Sequence, residues 1–233
     1  MIDFHSHVLP FVDDGSRSIE ESLQMLKWSK SMGVDTIVST SHYYANRESV
    51  ESFIKRRDES LKSLVQAVSN NDDIPQIITG AELAFFAGMS REKEISRLCI
   101  GDTKYLLLEM PFYEWTSLTI KEVRGVMINM GITPIIAHIE RYIALQKKNN
   151  QINELLELGV VVQANAEAII KKDQRRLILK MIDNDLIHVL GSDCHNTVNR
   201  PPNMESAVGI IQKKLGTKAL ENIENNGRKI IAC

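Results

Sequence analysis

The sequence predicts an α/β fold in which seven parallel strands, each followed by a helix, close into a barrel. Three observations predict it. Short β-branched runs alternate with longer stretches of helical periodicity, the pattern of parallel strands joined by crossover helices. No fixed-period repeat, low-complexity tract or Pro/Gly/Ser-rich linker interrupts that alternation, so residues 1–233 read as a single domain. The strands also end in polar side chains that can bind a metal ion. An open doubly wound sheet would spread these along an edge and gather ligands at one switch point. A barrel brings every strand end to one face, where such residues can act together.

The elements follow in order. Residues 2–5 form the first strand, carrying His5 and pointing toward His7. Residues i and i+2 of a strand share a face, so the two imidazoles can aim at one point. Asp13-Asp14-Gly-Ser16 is turn chemistry. Ser18-Ile-Glu-Glu21 reads as a capping box that opens a helix with Ile19, Leu23 and Leu26 on one face, ending near Gly33. Strand 36–41 leads to His42, and helix 48–69 has an apolar stripe of Phe53, Leu61, Leu64, Val65 and Val68. Strand 76–83 reaches Glu82, and strand 105–110 places Glu109 after Leu106-Leu107-Leu108. Helix 119–130, strand 134–138 with His138, and helix 152–158 come next. Strand 160–166 offers Gln163 and Asn165, and helix 173–184 leads to strand 187–192. Asp193 and His195 follow that strand as a second i, i+2 pair, before helices 204–215 and 218–225.

Composition bounds the function. The 233 residues are 43% hydrophobic and 25% charged, enough for a large core. A net charge of −2, from 28 basic and 30 acidic residues, calls for neither a nucleic-acid nor a membrane partner. No apolar run approaches the roughly 18–20 residues of a membrane span, and the N-terminus lacks the features of a secretory leader, so no membrane insertion is expected. Cys99, Cys194 and Cys233 are odd in number and far apart, which argues against a disulfide framework and for a reducing cytoplasm. Nothing in the sequence specifies an oligomeric state.

His5, His7, Asp14, His42, Glu82, Glu109, His138, Asp193 and His195 exceed what one ion needs, so two or three ions with a bridging carboxylate fit. Mixed His/Asp/Glu ligation with almost no thiolate suits Mn²⁺, Zn²⁺ or Fe²⁺ better than structural zinc. A carboxylate ending an apolar strand, as at Glu82 and Glu109, is costly unless it meets a cation or donors. His188, inside its strand, reads instead as a histidine satisfied by hydrogen bonds.

These stretches together resemble the PHP (polymerase and histidinol phosphatase) superfamily, and within it the manganese-dependent bacterial tyrosine-protein phosphatases of the CpsB/YwqE type, which serve capsule and exopolysaccharide pathways. The resemblance rests on Asp3-Phe-His-Ser-His7 with Asp13-Asp14-Gly-Ser, Ser39-Thr-Ser-His42, Gly80-Ala-Glu82, Leu108-Glu109, Ala137-His-Ile-Glu-Arg-Tyr142, and Ser192-Asp-Cys-His195 with Arg200. The family usually reads Thr-Pro-His-His where this chain has Thr40-Ser-His-Tyr43. It usually reads His-Pro-Glu-Arg where this chain has His138-Ile-Glu-Arg141.

The resemblance implies a distorted (β/α)7 TIM-like barrel of the PHP type with its metal site at the C-terminal strand ends. It implies three ions: one on His5, His7, Glu82 and Asp193, a second on Glu82, Glu109 and His138, and a third on Asp14, His42 and His195. Arg141 and Arg200 match the family's phosphate-binding arginines, and Mn²⁺ is the implied metal. The implied substrate is a phosphotyrosine protein, the tyrosine-rich tail of a membrane-bound autokinase. A histidinol-phosphate-like small-molecule phosphatase or a phosphodiesterase is the alternative on the same metal site.

Three divalent ions carry +6 against −4 on Asp14, Glu82, Glu109 and Asp193, an excess of about +2 that suits a phosphomonoester dianion. The expected chemistry is in-line attack on phosphorus by a metal-bound hydroxide, with the arginines holding the equatorial oxygens. Cys194 to Arg200 also spells Cys-x₅-Arg, the spacing of thiol-dependent tyrosine phosphatases. The intervening His195-Asn-Thr-Val-Asn199 has no glycine, and strand alternation turns Cys194 away from its neighbours Asp193 and His195, so the thiol is not expected to act. Arg17 and Arg47 read as surface residues. Tyr43, Tyr44, Tyr113, Trp115 and Tyr142 either line a pocket for an aromatic ring or pack beneath loops.

Overall fold

The computed structural model describes residues 1–68, 73–146 and 150–232. Its strands are β1 (Ile2–Ser6), β2 (Thr36–Ser39), β3 (His42–Tyr43), β4 (Gln76–Thr79), β5 (Glu82–Ala84), β6 (Tyr105–Glu109), β7 (Thr133–Ile136), β8 (Val161–Asn165) and β9 (Val189–Gly191). Its helices are α1 (Ile19–Ser31), α2 (Val50–Ala67), α3 (Ser117–Met130), α4 (Glu140–Ile143), α5 (Gln151–Leu156), α6 (Ala166–Ile170), α7 (Lys172–Asp183), α8 (Met204–Leu215) and α9 (Thr217–Ile231).

The strands pair in parallel, in the orders β1-β2-β4 and β3-β5-β6-β7-β8-β9. The expected strands 36–41 and 76–83 are each broken in two, so four short strands replace two long ones. They bend together. The pairing Ser39 with Thr79 resumes as His42 with Glu82, the same register across the break. At the bend the Thr40 N–H turns to the Ser6 carbonyl at 2.8 Å, and Glu82 N–H divides between the Thr40 and Ser41 carbonyls at 3.2 and 3.1 Å. At the bend Gly80 leaves room for Ile100: a Cβ there would be 3.1 Å from Ile100 Cγ1. Beyond β9 the chain returns to β1. Asp193 N–H donates to the His5 carbonyl at 2.7 Å and His7 N–H to the Cys194 carbonyl at 2.9 Å. The result is a curled parallel sheet.

Both faces of the curled sheet are buried, as a parallel sheet covered by helices requires. Phe4, Val38, Leu107, Ile135 and Val189 form one cluster, into which α9 inserts Ile230. Leu106, Leu108, Ile136, Val162 and Leu190 face the other way into the cluster shared with the helices. The run Leu106-Leu107-Leu108 feeds both, which is why β6 reads as a continuous apolar stretch.

The helices differ from expectation in detail. Ser18 caps α1, its Oγ accepting the Glu21 N–H at 3.1 Å. The reciprocal half of the capping box is replaced. Glu21 accepts instead from the N–H groups of Arg17 at 2.9 Å and Thr197 at 3.4 Å, tying the start of α1 to the loop after β9. In α2, Phe53 and Leu64 are buried while Val65, one residue and about 100° around the helix from Leu64, is 56% exposed. Residue 69, the expected end of that helix, lies outside the described residues. Helix α9 runs past residue 225 to Ile231, because its last turns still pack: a Cβ on Gly227 would be 2.8 Å from Phe4 Cε2. The short α4 and α6 were not anticipated, being too brief to show a 3.6-residue period.

Candidate metal centre

The β1–α1 loop is built to hold His7. A Cβ on Gly15 would lie 2.3 Å from the His7 carbonyl oxygen, so only glycine permits this approach. Ser16 N–H then donates to that carbonyl at 3.1 Å. The loop folds Asp13 onto His7, with Oδ2 2.7 Å from Nδ1, and Asp13 also accepts the Gly15 and His42 N–H groups. His5 is placed differently. Strand β1 pairs Asp3 with Ile37 and Ser6 with Ser39, so it holds one extra residue, and such a bulge re-aims the side chains beside it. Gly191 lets His5 sit against β9, where a Cβ would be 2.4 Å from the His5 Cβ.

All of the sequence-selected ligand candidates meet. His5 Nε2 is 3.2 Å from His7 Nε2, 3.2 Å from Glu82 Oε2 and 3.4 Å from Asp193 Oδ1. Glu82 is the hub. Its Oε2 is also 2.9 Å from His42 Nδ1 and 3.5 Å from His7 Nε2, while its Oε1 is 3.0 Å from His138 Nε2. Glu109 Oε1 stands 3.5 Å from the same His138 nitrogen. Asp14, on the exposed side, puts Oδ1 3.6 Å from both His42 Nε2 and His195 Nε2. Among the described residues, three groups have ligand atoms mutually within 4.8 Å: His7, Asp14, His42 and His195; His5, His7 and Asp193; and His42, Glu82 and Glu109.

The pair Asp193/His195 does not converge by strand alternation. β9 ends at Gly191, and Asp193 adopts a left-handed φ of +54°. His138, just past β7, has φ +33°. Left-handed backbone at a non-glycine residue costs roughly 1–3 kcal/mol and persists where the surroundings over-determine it. Here they do: His138 N–H donates to Gln163 Oε1 at 2.7 Å, and Asp193 N–H to the His5 carbonyl at 2.7 Å.

The residues fit a metal. The Nε2 atoms of His5 and His7 come within 3.2 Å of each other, near enough for one ion to take both, and Glu82 Oε2 is buried beside them with no hydrogen bond of good geometry. Burial works against a charge on His7, but Asp13, Asp193 and Glu82 outweigh it and push its pKa up to about 10. Burial likewise opposes charge on His138, and Glu109 and Glu82 overcome it, raising the ring to about 9. A field that favours a proton on these rings favours a divalent cation between them. His195 goes the other way. Burial, His7 and Arg200 push it down to about 3, which leaves a neutral imidazole, the form that binds metal. Burial opposes the charge on Glu82 and Asp193 too, yet the surrounding histidines, with Arg141 beside Asp193, hold both carboxyls well below the usual carboxylate range.

Arg141, on α4, and Arg200 both reach Asp193 Oδ2, Arg200 at 2.6 Å, and Arg200 Nη1 lies 2.9 Å from His195 Nε2. Both side chains stay more than a third exposed. Asn196 fixes the Arg200 loop, its Oδ1 accepting the N–H groups of Val198, Asn199 and Arg200 at 2.7–3.2 Å.

Further residues support the ligand candidates. Asp13, beside Asp14, orients His7. Asp3 ties β1 to β9, accepting the Ser192 N–H at 2.8 Å. Gln163 meets both His5 Nδ1 at 3.2 Å and the His138 N–H, and Asn165 donates to Asp193 Oδ2 at 2.9 Å. Polarity on an otherwise apolar strand was the available signal.

Cys194 is fully buried, and burial pushes its thiol pKa far up, which disfavours the thiolate that a nucleophile requires. Cys99 is also free and buried; Cys233 lies outside the described residues. His188 Nδ1 accepts the Val162 N–H at 3.0 Å, away from the cluster. Tyr43 and Ile139, where the family pattern differs, are buried in packing, Tyr43 against Phe53. Trp115 and Tyr142 are buried, Tyr113 is exposed, and Arg47 covers the Tyr44 ring at 4.1 Å. Arg17 and Arg47 are exposed.

Comparison with known proteins gives a consistent picture. A family model described as "Capsular polysaccharide synthesis, CpsB/CapC" matches residues 1–232. The tyrosine-protein phosphatase CpsB of Streptococcus pneumoniae is 36% identical over an alignment 242 positions long, covering 99% of this chain and 98% of that protein. A chain from the crystal structures of YwqE from Bacillus subtilis and CpsB from Streptococcus pneumoniae, metal-dependent tyrosine phosphatases, superposes with a TM-score of 0.78 at 26% identity, covering 97% of this chain and 93% of that one. The phosphotriesterase homology protein of Escherichia coli shares the fold at a TM-score of 0.59 and 12% identity, covering 98% and 97%.

Proposed function

This chain belongs to the capsular polysaccharide synthesis CpsB/CapC family, and from that premise we propose that it is a metal-dependent hydrolase of phosphotyrosine in protein. The observation that carries the reading is Glu82, a buried carboxylate facing His5, His7, His42 and His138 in a site that also holds two arginines. The curled sheet is read as a distorted (β/α)7 barrel of residues 1–233, with the metal site at its C-terminal strand ends. The pairing of the chain after β9 with β1 supports that reading. His5, His7, Glu82 and Asp193 would hold one ion, Glu82, Glu109 and His138 a second, and Asp14, His42 and His195 a third. Nitrogen and carboxylate donors suit Mn²⁺, with Zn²⁺ or Fe²⁺ as alternatives.

Divalent ions bound there supply Lewis acidity, acidifying water and neutralising phosphoryl charge. The chain's own residues do the rest. Asp13 and Gln163 fix the orientation of His7 and His5. Such outer partners of ligand histidines typically tune metal affinity about 10–100-fold. Arg141 and Arg200 place two guanidinium groups against the single Asp193 carboxylate, leaving positive charge at the mouth for phosphate oxygens. Planar guanidinium can bind two of those oxygens at once. Arg141→Lys and Arg200→Lys are each expected to lower kcat/KM about 10–100-fold on a phosphotyrosine peptide, with metal content by elemental analysis unchanged.

The natural substrate is proposed to be the tyrosine-rich tail of a membrane-bound autokinase, met in the cytoplasm. The free buried cysteines support a reducing compartment. No described helix is long and apolar enough to cross a membrane. The small-molecule alternative is not favoured, since relatives above 30% identity along nearly the whole chain are tyrosine-protein phosphatases. Phosphate release from a phosphotyrosine peptide, a matched phosphoserine peptide and histidinol phosphate, each with Mn²⁺, tests the reading. The phosphotyrosine peptide is expected to be fastest; faster turnover of histidinol phosphate would overturn it.

A further inference from the structure

The metal-facing end of the molecule carries an exposed phenyl ring that the phosphatase reading leaves without a role. Phe112, in the loop between β6 and α3, is 53% exposed, yet its ring stacks on His138 with centroids 6.1 Å apart and planes 23° apart. It also lies 5.3 Å from the Tyr142 ring, which lies 5.3 Å from Trp115. Trp115 and Tyr142 are buried, so two fixed rings, tilted against each other, back the exposed one.

The loop itself is pinned. Trp115 Nε1 donates to the Pro111 carbonyl at 2.9 Å, Trp115 N–H to Gln146 Oε1 at 2.8 Å, and Gln146 Nε2 to the Tyr113 carbonyl at 2.9 Å. These bonds bracket Phe112 on both sides. A large apolar side chain held out toward water by its own supports costs the free protein hydration, which suits a ring that awaits a partner. On the other side of the cluster the Tyr44 ring lies 5.5 Å from His42, but Arg47 already covers its face. Phe11, more exposed still, has no ring contact with a ligand candidate among the described residues.

We propose that Phe112 is the specificity wall of this site, the surface against which the aromatic ring of an aryl phosphomonoester packs while its phosphate lies on the metal ligands. The inference rests on the phosphatase reading above and names the residue that distinguishes aryl from alkyl esters. The geometry favours this placement because His138 is proposed to hold an ion, so a phosphate there sets its ester substituent beside the His138 ring and the phenyl ring stacked on it. Offset or edge-on aromatic pairs form at centroid separations of about 4.5–7 Å and add affinity beyond area burial.

The test separates ring recognition from the greater reactivity of aryl esters by using phosphonates, which have no leaving group. Calorimetry on the Mn²⁺-loaded protein compares phenylphosphonate with methylphosphonate. Wild type is expected to bind phenylphosphonate more tightly. Phe112→Ala should weaken phenylphosphonate about five- to tenfold while leaving methylphosphonate within about twofold, in line with one lost aromatic pair. Phe112→Trp should restore the difference. A Phe112→Ala protein that keeps the wild-type ratio of the two affinities overturns the proposal, whether both ligands weaken together or neither does. Binding of neither phosphonate to the loaded wild type would remove the phosphate-site reading itself, and this inference with it.

Discussion

Glu82→Gln is expected to abolish activity, lowering kcat about 10³-fold or more, and to strip metal from the protein. The magnitude follows from position. A single preorganised charge stabiliser removed from an active site costs about 10²–10³ in rate, and Glu82 sits against four histidines rather than one. Glutamine keeps the shape but loses the charge that offsets two ions, so occupancy should fall with rate. His5→Ala should act in the same direction, since His5 faces His7, Glu82 and Asp193 together. Elemental analysis of the purified variants and rate measurements on a phosphotyrosine peptide check both. A Glu82→Gln protein that keeps full metal content and rate would break the assignment at its centre.

Removal of metal is expected to have the second large effect. Chelation should reduce activity below about 1% of the untreated protein and Mn²⁺ should restore it, as loss of Lewis-acid activation of water requires. The thiol makes the contrast sharp. Cys194→Ser should keep activity within about threefold, because the side chain is fully buried and its thiol is pushed far from ionisation by burial, with Asp3 and Asp193 adding to the shift. Placing a hydroxyl there is expected to cost about 1–3 kcal/mol of stability unless it finds a partner, read as a lower melting temperature. An enzyme that tolerates chelator and is killed by Cys194→Ser would be a thiol phosphatase, in accord with the Cys-x₅-Arg spacing and against everything else in the site.

Much of this was legible in the chain. Alternating β-branched and helical segments specified parallel strands with crossover helices, because those periodicities admit few other packings. Polar residues after apolar runs marked candidate positions, since a carboxylate such as Glu109 does not end a Leu-rich strand without a cationic partner. The fold brings the ligand-capable residues together. Three-dimensional packing decided the rest. Strand periodicity does not show the paired bend at Thr40-Ser41 and Gly80-Ala81, because it depends on two neighbouring strands bending together while keeping one register. Local periodicity could not show that Asp193 and His138 would reach the cluster through left-handed backbone held by Gln163 and the His5 carbonyl. The sequence by itself determined which residues have the chemistry to bind metal, since side-chain chemistry is a local property; the bend decided that His42 and Glu82 open their strands rather than end them. Only the tertiary structure decided which side chains face one another, that Asp13 rather than solvent orients His7, and that Phe112 stands on His138, because those contacts join residues that the chain separates and the fold alone brings into reach.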